Sequence, residues 1–89
     1  MKKIYCDLKM FNLFQDIYII DSLTGEKEKI ITIPMEKVAE TISLISNEKN
    51  ISKIILTGKC DFNNAIADSI ISHSKIFYKK DNIEVEVLK

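Results

Sequence analysis

The chain has 89 residues, with 13 basic and 13 acidic side chains and no arginine, so its formal net charge is zero. Hydrophobic residues make up 46% and charged residues 29%, a composition that folds rather than stays disordered. Neutrality and the lack of arginine disfavour nucleic acid as a partner, because phosphate binding needs local positive charge and arginine is the usual bidentate reader.

Residues 3–10 alternate: Ile4, Cys6, Leu8 and Met10 share one side, and Tyr5, Asp7 and Lys9 the other. Period two predicts a first strand. Ile17, Tyr18, Ile19 and Ile20 form a β-branched and aromatic run within 16–21, a second strand. Thr24-Gly25 marks a turn, and Ile30, Ile31 and Ile33 predict a third strand. These three strands are close in sequence, so an antiparallel meander is expected.

Pro34 ends the run and suits the first turn of a helix. Met35, Val38, Ala39, Ile42 and Ile45 then recur at spacings of three and four, predicting an amphipathic helix over 35–47. Residues 53–57 are a short apolar strand closed by Gly58. Asp61 or Asn63 can cap a second helix. Its expected buried stripe is Phe62, Ala65, Ile66, Ile70, His73 and Phe77. After a polar loop at 79–82, Ile83, Val85 and Val87 alternate with Glu84 and Glu86 as a last strand.

The whole of 1–89 therefore reads as a single α/β domain of order β-β-β-α-β-α-β, without repeat or linker. The later strands are reached through helical crossovers, which implies parallel pairing and a mixed five-stranded sheet with two helices. By this order of elements the chain resembles the ribonuclease-H-like fold. A ferredoxin-like α+β sheet is the rival, but three consecutive strands stand where that fold needs a helix.

The resemblance implies clustered carboxylates that hold two divalent metals against a phosphodiester. Asp7, on the first strand, matches the first acid of that pattern, and Asp61 and Glu36 are the remaining candidates. No acid ends the fourth strand, where Thr57 and Gly58 stand, so the cluster is depleted. The ordinary reading of Asp7 is a solvated residue on an open sheet face, or a partner of Lys9 or Lys59.

Cys6-Asp7 and Cys60-Asp61 lie at the ends of strands expected to be neighbours and form a formal metal-ligand set. Zinc sites use close local pairs such as C-x₂-C, however, and none exists here. Small buried hydrophobes are the better reading of the cysteines. His73 sits about 20 Å along the helix from Cys60, from the rise per residue, so it cannot serve that thiol. Thr57-Gly58-Lys59-Cys60 lacks the upstream glycine and the hydroxyl of a phosphate loop. No cofactor and no metal are expected.

A connection between strands should be polar. Met10, Phe11, Leu13 and Phe14 make this one apolar, with Asn12 alone polar. They are the candidate partner-binding residues. The expected function is a small non-catalytic protein-interaction or adaptor domain, self-associating or bound to another protein. A minimal metal-dependent nuclease is the first alternative. An inhibitor of a nucleic-acid enzyme is the second, which neutral charge does not favour. Glu84, Glu86 and Lys89 read as protection of the last sheet edge. Apolar runs are too short to span a membrane, Asp7 and Lys9 interrupt any secretory leader, and free cysteines fit a reducing compartment, so a cytoplasmic location is expected. In style the Ile/Lys/Asn-rich sequence is similar to bacterial or prophage accessory proteins.

Overall fold

The computed structural model describes residues 1–88. Lys89 and its share in edge protection lie outside the described residues. The strands are β1 (Lys2–Asp7), β2 (Phe14–Asp21), β3 (Lys27–Pro34), β4 (Lys53–Thr57) and β5 (Glu84–Val87). A single 3-10 turn over Met35–Lys37 leads into α1 (Val38–Lys49), and α2 (Asn63–Tyr78) joins β4 to β5. The sheet order is β3-β2-β1-β4-β5. β1 pairs antiparallel with β2 and parallel with β4, β2 pairs antiparallel with β3, and β4 pairs parallel with β5. This is the mixed sheet that the ribonuclease-H-like resemblance implies. A ferredoxin-like sheet is excluded, because the first three strands form a consecutive meander at one edge.

The core lies on one side of the sheet. Ile4 and Cys6 of β1, Ile17 and Ile19 of β2, and Ile54 and Leu56 of β4 are all buried and share a face. Val38, Ile42 and Ile45 of α1 and Ala67 and Ile70 of α2 join the same cluster. Between the helices the Ser43 and Ser74 hydroxyls bond at 2.9 Å and satisfy each other away from water. A bulge opposite Ile17/Tyr18 shifts the β2–β3 register by one residue. The extra residue lets Ile30, next to Ile31 in sequence, also pack against the core.

Four local expectations are corrected. β1 ends at Asp7 rather than at residue 10, and Met10 is exposed in a turn instead of continuing the core face. Neither Asp61 nor Asn63 caps α2; the cap position is Phe62, without a side-chain bond, and Asn63 Nδ2 instead donates to the Gly58 carbonyl at 2.9 Å. The buried stripe of α2 is Asn63, Ala67, Ile70 and Ser74, while Phe62, Ala65 and Phe77 face solvent. The 35–47 helix begins as a 3-10 turn and runs to Lys49, where Asn50 in the left-handed conformation closes it. Among the described residues no helix is long and apolar enough to cross a membrane.

Candidate functional site

The face of the sheet opposite the helices is uncovered and carries the polar members of the alternation. In β1 these are Tyr5 and Asp7, in β2 Asp16 and Tyr18, and in β4 Thr57, all half-buried. The β1–β2 register runs to Cys6↔Ile17, and its continuation sets Asp16 opposite Asp7. Each carboxylate is held from its outer side by a cross-strand hydroxyl. Thr57, paired with Asp7, donates to Asp7 Oδ1 at 2.8 Å. Thr32, paired with Asp16, donates to Asp16 Oδ1. The result is a row across four strands: Thr32, Asp16, Asp7, Thr57.

A second row lies beside it. The Tyr5 and Tyr18 rings are opposed across β1 and β2 with centroids 6.3 Å apart. Lys27 reaches over both, 4.5 Å from the Tyr18 centroid and 5.0 Å from that of Tyr5, a double cation–π contact. Tyr5 Oη lies 3.1 Å from Thr57 Oγ1, which links the two rows. Tyr5, Asp7, Asp16, Tyr18 and Lys27, with Lys9 and Phe14 at the loop end, line a shallow cleft of about 160 Å³.

Two carboxylates facing one cleft could accept a cation, but the donor set is small. One oxygen of each is taken by a threonine, and among the described residues no group of three His, Cys, Asp or Glu is placed to hold a metal ion. Clamping both oxygens of a displacement needs two ions about 3.5–4 Å apart, and these residues do not fit that demand. The other acids named from sequence are not brought to the row. Asp61 is exposed and lines a separate crevice with Gly58, Lys59, Cys60, Asn63 and Asn64. Glu36 is exposed in the 3-10 turn beyond the outer strand β3.

The Cys6/Asp7/Cys60/Asp61 set is not assembled either. Cys6 is fully buried on the helix side, whereas Asp7 points to the open face. Burial, aided by the nearby Asp7 and Asp16 charges, pushes the Cys6 thiol up to about 12. A thiol so raised is protonated at neutral pH. Cys60 is free and buried. His73 stacks on Phe77 with ring centroids 4.3 Å apart, as a structural histidine does.

The apolar connection between β1 and β2 is exposed and well held. Phe11 is 92% exposed, Leu13 81% and Phe14 58%, and Met10 is exposed beside them. Gln15, only 2% exposed, turns back into the loop. Its Oε1 accepts from the Lys9 amide at 2.9 Å, and its Nε2 donates to the carbonyls of Lys9 at 2.8 Å and Asn12 at 2.9 Å. The Met35 amide donates to the Leu13 carbonyl at 3.0 Å and ties the far side of the loop to the end of β3. The backbone is thus satisfied from inside, so the apolar side chains are turned outward.

Sequence reasoning misses Asp16 and Gln15. Asp16 gains meaning only when the β1–β2 register is known. Gln15 at the head of a strand is the one available signal of a side chain bound to a loop.

No family model matches the chain, and no curated protein matches it. The fowlpox virus Holliday junction resolvase is similar over 99% of this chain, with 19% identity and a TM-score of 0.46. An exopolyphosphatase from Cytophaga hutchinsonii is similar over 99% of it, with 16% identity and a TM-score of 0.48. The chain spans 60% of the length of the resolvase and 34% of that of the exopolyphosphatase.

Proposed function

We propose that this chain is a non-catalytic protein-interaction domain, and that Met10, Phe11, Leu13 and Phe14 are the residues it presents to a protein partner or a second copy. The observation that carries this reading is the buried Gln15 clamp beneath an apolar turn. A loop fixed in advance loses little conformational freedom on binding, and exposed aromatic side chains are common interface anchors. A photo-crosslinking amino acid in place of Phe11, with one in place of Asp81 as control, tests it in cells. A product specific to position 11, either a second copy or one recurrent protein, is expected. No product above the control removes the reading.

A second reading has one observation in its favour, the opposition of Asp7 and Asp16 across β1 and β2. It is metal-dependent phosphodiester chemistry, and its obstacle is the small donor set. Manganese titration followed by NMR decides it. Selective broadening of the Asp7 and Asp16 amides at micromolar ion, with cleavage of a branched or duplex substrate that Asp16→Asn abolishes, supports it. Broadening spread over all surface carboxylates, without cleavage, ends it.

A further inference from the structure

Helix α2 has a second face that the fold leaves largely exposed. At 100° per residue, Phe62, Ala65, Ile66, Ser69, Ser72, His73, Ile76 and Phe77 fall on one arc, and none of them carries a formal charge when the histidine is neutral. Phe62 is 58% exposed and Ile76 and Phe77 are each 64% exposed, so large apolar groups stand in water at both ends. Ala65, Ser69 and Ser72, small and exposed, lie between them. The buried stripe of Asn63, Ala67, Ile70 and Ser74 is a different arc; along the edge between the two, Ile66 packs in part against the core and His73 is half-buried, while Phe62, Ala65, Ser69, Ser72, Ile76 and Phe77 are exposed.

Two large apolar groups of the face stand at equal spacing about Ser69: Phe62 lies seven positions before it and Ile76 seven after. An isologous contact requires such self-complementarity. Two copies of α2 laid antiparallel place Phe62 over the partner's Ile76 at each end and Ser69 over the partner's Ser69 in the middle, where small side chains allow close approach.

Charge selects the same direction. Exposed Asp61 precedes the helix, and exposed Lys75 and Lys79 close it. Antiparallel pairing sets each acidic end against a basic end, and opposes the helix dipoles favourably. Parallel pairing would set like against like.

We infer that α2 pairs antiparallel with α2 of a second copy, across a twofold axis at Ser69. The contact is separate from the Met10–Phe14 loop and does not depend on the interaction assigned to that loop.

The test uses the full chain. Sedimentation across a dilution series is expected to show a dimer of twice 10.2 kDa that dissociates on dilution. Ser69→Glu sets two like charges on the axis and should raise the dissociation constant by roughly 100-fold or more, as an unpaired buried charge demands. Ser69 is exposed in the monomer, so the helical circular dichroism of the variant should be unchanged. Ser69→Cys should form a disulfide-linked dimer under mild oxidation, since Cys6 and Cys60 are buried. Ile76→Cys should not, because its two copies would lie roughly 20 Å apart at 1.5 Å rise per residue. Phe11→Ser should leave this dimer intact, which separates it from association through the loop. A monomer at all concentrations, a Ser69→Glu dimer of wild-type affinity, or efficient linking through Ile76→Cys each overturns the proposal.

Discussion

The space where Gly58 would carry a side chain is filled by the carbonyl of Leu8. A Cβ there would lie 2.2 Å from Leu8 O and 3.0 Å from Asp7 Oδ1. Gly58 also has φ +101°, a conformation that L side chains rarely adopt. The ends of β1 and β4 approach this closely because the Leu8 amide donates to the Thr57 carbonyl at 2.8 Å. Gly58→Ala should therefore destabilise by about 2–4 kcal/mol, through clash and strain together. Gly25, with φ +77° but nothing within 4 Å of where a Cβ would stand, is the control. Gly25→Ala should cost about 1 kcal/mol, the left-handed penalty alone. Urea midpoints of both variants check the difference, provided the slopes are unchanged.

The Gln15 clamp predicts a local effect as well as a global one. Gln15→Leu fills similar volume but leaves the Lys9 amide and the Lys9 and Asn12 carbonyls without that partner. A loss of about 2–3 kcal/mol is expected from three hydrogen bonds at roughly 1 kcal/mol each. Hydrogen exchange at the Lys9 amide should accelerate more than at Ile4 or Ile54, whose environment is untouched. Equal acceleration throughout would mean that Gln15 acts only on global stability.

The Ser43–Ser74 bond between the helices allows a double-mutant cycle. Either serine changed singly to alanine leaves the other hydroxyl buried without that partner, at a cost of about 1–3 kcal/mol. Changing both removes donor and acceptor together, so the double variant should be more stable than the sum of the singles predicts. Additive losses, measured by thermal or urea unfolding, would show that the hydroxyls do not depend on each other.

Alkaline pH should weaken the fold through Cys6. Its thiol titrates near 9.0 when unperturbed and is pushed up to about 12 in the folded chain. Below about 9 both states hold the proton and stability is unaffected. Between 9 and 12 the unfolded state releases a proton that the folded state keeps, so stability falls as pH rises. Cys6→Ala should be less stable at neutral pH but show a shallower decline over the same alkaline range. An unchanged slope would assign the decline to other groups.

The meander, α1 and β4 were legible because each carries its own period and is bounded by turn residues such as Thr24-Gly25 and Gly58. The side of the sheet that Asp7 faces also followed from simple alternation. What was hidden depends on contacts between elements. The arc of α2 from Phe62 to Phe77 is as apolar as its buried neighbour, and only docking against α1 and β5 decides which is covered. Asp61 and Asn63 have the chemistry of a cap, yet Asn63 is drawn back to the Gly58 carbonyl. Met10 continues the alternation of β1, but Gln15 closes the loop before the strand reaches it. Asp16 joins Asp7 only through cross-strand register, which no local pattern encodes.

All the buried hydrophobic side chains of β1, β2 and β4 point toward the helices, and the Thr32–Asp16–Asp7–Thr57 row stands on the other side. Folding and surface chemistry are thereby assigned to alternate positions of the same strands. Exchanges at Asp7, Asp16 or Thr57 leave every core contact in place, so this wall is free to acquire or shed charged groups while the scaffold behind it persists.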